Sequence, residues 1–130
     1  TKDFKDSLEA YLKAAELAPD DQAIQNDTGL IYLYHGRSCG EDPRKALPFF
    51  LRTLALVDED GQEPTIGYRD SLQNLARYYH EVEPDPEKVI EYADRRNDPE
   101  FYNGLKPPLN VFCREAAADR QWAEQQRKRK

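Results

Sequence analysis

Two stretches of this chain carry small and aromatic residues at the same intervals. "SLEAYLKAAELAP" sets Ser7, Tyr11 and Ala14, with Pro19 beyond them; "ALPFFLRTLALVD" sets Ala46, Phe50 and Thr53, with Asp58 beyond. Two other stretches share a second spacing, a small residue with an aromatic three places on. In "QNDTGLIYLYHG" these are Gly29 and Tyr32, after Thr28; in "LQNLARYYHE" they are Ala76 and Tyr79, after Leu72 and Leu75. Spacing of this kind is a packing signal. Small residues let two helices approach, and aromatics fill the space beside them. A chain so patterned builds antiparallel helix pairs, repeated along the sequence.

The helix boundaries follow from local chemistry. Phe4, Leu8, Tyr11, Ala15 and Leu17 form one broad face, and Pro19 ends that helix. Asp20 or Asp21 caps a second helix, which stops at Gly36. "RSCGEDP" is a loop. Asp42 and Pro43 open a third helix, with Pro48 near its tolerant first turn. "IGYRDSLQNLARYYHEV" is a fourth, and "PEKVIEYADRR" a short fifth. "NDPEFYNGLKPP" is a longer connection rich in turn-forming residues, and a last helix starts near Leu109. No alternating stretch is bounded by hairpin turns, so the expected fold is all-α.

The small and aromatic spacing resembles the tetratricopeptide repeat, a helix-turn-helix unit of about 34 residues. The resemblance covers roughly residues 4–96 of a single domain spanning 1–130. It implies a right-handed α-solenoid. Residues 4–19 would be the second helix of a partial repeat, 22–58 and 69–96 two further repeats, and 109–126 a capping helix. Leu109, Phe112, Cys113 and Ala116 have the spacing expected of that cap. The second repeat departs at Gln25, where a bulky residue is expected, and at Asp58, where the family has Pro. Its longer turn, "GEDPRKA", is similar to the Sel1-type relative of the repeat. The third departs at Ala93 and Arg96, which implies a short second helix. Because the chain begins inside a repeat, it reads as a trimmed domain. Its first helix would then self-associate through Phe4, Leu8 and Leu12.

What the resemblance implies for function is a non-catalytic scaffold that holds a partner protein or peptide on its concave face. The positions that face it are Ala23, Asn26, Leu30, Leu33 and Tyr34 in the second repeat, and Asp70, Gln73, Arg77 and His80 in the third. Leu30 and Leu33 fit equally well as residues buried between helices. Some members of the family clamp a terminal carboxylate with Lys and Asn; here only Asn74 matches, so acidic C-terminal tails are disfavoured. Two further readings stand beside this one. The chain could be an accessory fragment of a larger enzyme or of a secretion or assembly complex, or a small hydrolase using Cys39 and His35.

Charge narrows the partner. The formal charge is -6, with a third of the residues charged. An acidic body argues against duplex nucleic acid as the main partner and suits a basic segment. No apolar run approaches the ~20 residues of a membrane helix. The terminal Arg127, Lys128, Arg129 and Lys130 form either a contact patch or the cationic end of a helix. Two distant cysteines, Cys39 and Cys113, make no disulfide scaffold and fit a reduced, cytoplasmic setting.

Chemistry has few candidates. His35 and Cys39 flank a loop, but nothing in the sequence supplies an orienting group or an oxyanion site. The pair with Asp42 falls short of a four-ligand zinc site. "DEDGQE" lacks the spacing of a calcium loop. No cofactor is expected. The triplet at Asn26 matches a glycosylation acceptor but lies in a helix. Trp122 falls off the apolar stripe of the last helix, and either anchors a contact with another molecule or packs onto the fifth helix.

Overall fold

The computed structural model describes residues 2–97 and 111–129. The described residues form six α-helices and no strand: α1 (Lys2–Leu17), α2 (Gln22–His35), α3 (Leu47–Asp58), α4 (Ile66–Glu81), α5 (Pro86–Arg96) and α6 (Val111–Lys128). The chain divides into two compact units, residues 1–71 and 72–130. The division falls inside α4, so this one helix contributes residues to both.

In the first unit, α2 starts where Asp21 accepts a hydrogen bond from the Ile24 N–H at 3.0 Å. Its end at Gly36 is right-handed, φ -54°, and the Gly36 N–H still reaches Tyr32 O. The repeated small and aromatic spacing becomes a close contact here. A Cβ on Gly29 would lie 2.6 Å from Cε1 of Phe50, so only glycine lets α2 sit this near α3. Ala46, Phe50 and Thr53 are all fully buried. Gly67 meets α2 in the same way, where an added Cβ would lie 3.0 Å from the backbone of Gln22.

The third helix departs from its sequence reading. Residues Pro43–Ala46 form a separate 3-10 turn capped by Asp42, and the α-helix begins only at Leu47. The reason is Pro48. It has no N–H to offer the Arg44 carbonyl, so the α-helical ladder cannot run through this point. The Leu47 N–H bonds that carbonyl instead, in the tighter i to i+3 pattern.

The two residues of this unit that depart from the expected repeat spacing, Gln25 and Asp58, both make hydrogen bonds. Gln25 is buried and its amide donates to Ala15 O at 3.4 Å. Asp58 accepts from the Tyr68 hydroxyl at 3.1 Å. Gln22, also buried, ties the loop before α4 to the start of α2. Its amide donates to Gln62 Oε1 and Glu63 O, and its carbonyl oxygen accepts from Thr65 N–H and Oγ1. Leu8 is buried, and the Phe4 ring stacks on His35 at 3.7 Å. These two side chains, expected at a self-association face, are therefore engaged within the unit.

The second unit holds the rest of α4 with α5 and α6. Its core includes Leu72, Leu75, Ala76, Tyr78, Tyr79, Val89, Ile90, Tyr92 and Ala93. Asp85 caps α5 by accepting from Lys88 N–H, and Pro86 takes the first helical position, where a missing N–H costs nothing. Tyr79 stacks on Tyr92. Ala93 and Arg96, where the sequence departs from the spacing expected of a third repeat, are both buried on the inward side of α5. Arg127 makes two hydrogen bonds to Glu87, and Arg120 bonds Asp94, tying α6 to α5. Leu109 and most of the connection before it lie outside the described residues, as do the side chains of Phe112, Cys113 and Ala116. Among the described residues, no helix is long and apolar enough to cross a membrane.

Candidate functional site

The expected contact residues separate into two groups, one in each unit. In the first, one side of α2 faces inward through Gln22, Gln25, Asn26, Gly29 and Tyr32. Asn26 was expected on the partner face and belongs instead to this buried side. It is 3% exposed, and its Oδ1 accepts from the Ser71 hydroxyl at 2.8 Å, joining α2 to the start of α4. Burial also removes the glycosylation reading of its triplet. The opposite side of α2 carries Ala23, Asp27, Leu30 and Tyr34, one above another at helical spacing. Ala23 is exposed, Asp27 and Leu30 are half-buried, and Tyr34 is 40% exposed. Leu33 lies beside them, also half-buried.

The electrostatics of Asp27 are set by burial and by two neighbouring carboxylates. Burial raises the Asp27 carboxyl above the ordinary 3.8, the Asn26 amide pulls it back, and Asp70 and Asp21 raise it further. Asp70, half-buried at the start of α4, also forms a long ion pair with Arg69, 3.5 Å.

In the second unit the structure brings together Arg77, His80 and Trp122, through a residue that sequence reasoning missed. Asp119 of α6 is buried, its side chain 1% exposed. Its Oδ1 accepts from Arg77 Nη1 at 2.8 Å and lies 2.6 Å from His80 Nδ1. An ionised carboxylate can only accept, which places the proton of this pair on Nδ1. The Trp122 ring stacks on His80, centroids 4.3 Å apart. Trp122 therefore rests on α4, where packing onto α5 was one of the two expectations. Arg77 also pairs with Glu81 at 3.3 Å. Gln73, expected on the partner face, is 5% exposed and so is not a surface residue. On α4, then, the expected contact positions Arg77 and His80 are held by α6.

A sequence signal for Asp119 does exist. Asp119 and Trp122 are three apart on one helix, as are Arg77 and His80 on the other, and residues three apart share a helix face. Two such pairs match in charge and ring chemistry. What hid the match is that a lone Asp normally faces water.

Candidate chemistry is sparse in the geometry as well. His35 is stacked on Phe4, and no hydrogen bond links it to Cys39, a half-buried free thiol in the 3-10 turn Arg37–Cys39. Among the described residues, no group of three or more His, Cys, Asp or Glu side chains could hold a metal ion. No family model, curated protein or solved structure matches this chain.

Proposed function

We propose that the protein is a non-catalytic interaction module, a solenoid of tetratricopeptide type that holds a partner protein or peptide on the outer stripe of α2. The observation that carries this reading is the state of Leu30, Leu33 and Tyr34. Two large aliphatic side chains and a tyrosine lie next to one another on one helix and are only partly covered. Isolated apolar residues on a surface need no explanation, but an adjacent set that includes a tyrosine fits the composition of a contact face. The close approach at Gly29 and Phe50 supports the repeat-type packing, because it converts the spacing into a helix-on-helix contact.

The test is a paired capture from lysate of the source organism. One bait is the full chain and the other is the chain with Leu33→Glu and Tyr34→Ala, matched for helicity by circular dichroism. A protein held by the first and lost by the second supports the α2 stripe as the contact face. Equal capture by both baits overturns it.

A further inference from the structure

The α2 stripe has a polar end and an apolar end, and the two together describe an occupant. Asp27 is the only Asp, Glu, Lys or Arg in α2. The hydrogen bond between Ser71 and Asn26 holds α4 against α2, so Asp70 adds its charge beside Asp27. Asp21 adds a third. The charges acting on Asp27 are thus both negative, and its own negative charge is partly withdrawn from water. One and two turns further along come Leu30 and Tyr34.

Charge at longer range has the same sign. Residues 1–71 hold 8 Lys or Arg against 14 Asp or Glu, a net of -6, whereas residues 72–130 hold 11 of each. The whole formal charge of the chain therefore belongs to the unit that carries this stripe. Such a field raises the local concentration of cations and speeds their encounter.

We infer that the stripe takes an extended basic segment of a partner protein, with a Lys or Arg beside Asp27 and Asp70 and a large apolar side chain against Leu30 and Tyr34. This rests on α2 being the contact face, and adds what occupies it. The cation replaces water lost from the half-buried Asp27 carboxylate and offsets the repulsion that Asp70 and Asp21 exert on it. The apolar side chain covers carbon that the fold leaves open. Spacing follows from geometry. From Asp27 to Tyr34 the helix rises about 10 Å, at about 1.5 Å per residue. An extended chain covers that distance in about three residues, at about 3.3 Å each. The segment therefore carries its basic and apolar residues about three positions apart.

The test uses the full chain, labelled for amide NMR, and a short Gly-Ser peptide carrying Arg and Leu three positions apart. A control peptide has Glu for Arg. The Arg peptide is expected to shift the amides of residues 27–34, to bind about tenfold more tightly than the Glu peptide, and to weaken in high salt. Asp27→Asn should remove that preference while the protein stays folded. Equal binding of the two peptides overturns the basic occupant and leaves the contact face standing. No shift in α2 with either peptide, when the Leu33→Glu, Tyr34→Ala bait still loses a captured protein, also overturns the basic occupant. No shift together with equal capture by both baits overturns the contact face as well.

Discussion

Asp27 shows how one residue can work against the fold that carries it. Its carboxyl is raised chiefly by burial, with Asp70 and Asp21 adding to the effect and the Asn26 amide opposing it. A carboxyl with a raised folded-state pKa favours the folded chain when protonated and opposes it when ionised. The cost is fully present at neutral pH. It fades as pH falls through the folded value and is gone below 3.8, the unfolded value. Asp27→Asn should therefore raise the melting temperature at pH 7, and the gain should vanish near pH 3. Thermal melts of both proteins at the two pH values decide this. A variant that melts lower at pH 7 would mean that the Asn26 contact outweighs burial. A gain in stability joined to loss of basic-peptide binding is the pattern of a residue kept for contact rather than for folding.

At the scale of elements, α6 is held to α4 by a short list of groups whose contributions can be set against each other. Asp119 Oδ1 accepts from two donors, and hydrogen bonds to charged groups contribute about 1.5–3 kcal/mol each when well buried. Arg77 and His80 keep 26% and 20% of their side chains exposed, so water screens them and the lower figure applies. Against this, Asp119 Oδ2 is buried with no hydrogen-bond partner, a cost of about 1–3 kcal/mol. The gain offsets the cost with a small margin, and Asp119→Ala should destabilise by at most about 2 kcal/mol. Trp122 is the only tryptophan, so its emission reports whether α6 is seated on His80. The variant should show red-shifted emission at a lower urea concentration. Unchanged emission through the transition would show that stacking and the α5 ion pairs hold α6 without the carboxylate.

The same elements mark what the sequence could disclose. The bounds of α5 follow from Asp85, Pro86 and the end of the apolar spacing, all local signals. The burial of Ala46, Phe50 and Thr53 was legible from their spacing, although the same spacing in α1 leaves Ser7 exposed and Tyr11 and Ala14 half-buried. The 3-10 turn before α3 was not legible, because a proline this close to a helix start is compatible with an α-helical first turn as well as with the tighter turn that Pro48 imposes here. Nor was the burial of Asn26 and Gln73. Their polarity suggested a surface, and only the partner across the helix pair, Ser71 for Asn26, explains why one of them faces inward.

For the whole molecule, the decisive fact is that both units draw on α4. Tyr68 and Ser71 belong to the first and Leu72, Leu75, Tyr78 and Tyr79 to the second, all on one uninterrupted helix. Helix formation is cooperative, and a few residues of helix cut off from their remainder are not stable alone. Melting either unit removes part of the helix the other needs, which favours a single transition. Gly29→Ala tests this, because it acts only in the first unit. Alanine gains about 1 kcal/mol in helix propensity over glycine. Its methyl meets the Phe50 ring at 2.6 Å, and overpacking of a full core costs about 1–3 kcal/mol. Phe50 is completely buried and has no open side to move towards, so the steric cost prevails. The midpoint of unfolding followed by circular dichroism should fall. If α4 couples the units, the Trp122 emission midpoint, which reports the second unit, falls by the same amount. If it stays where it was, the two units unfold independently, and the stability of the α2 stripe can be altered without disturbing the seat of α6.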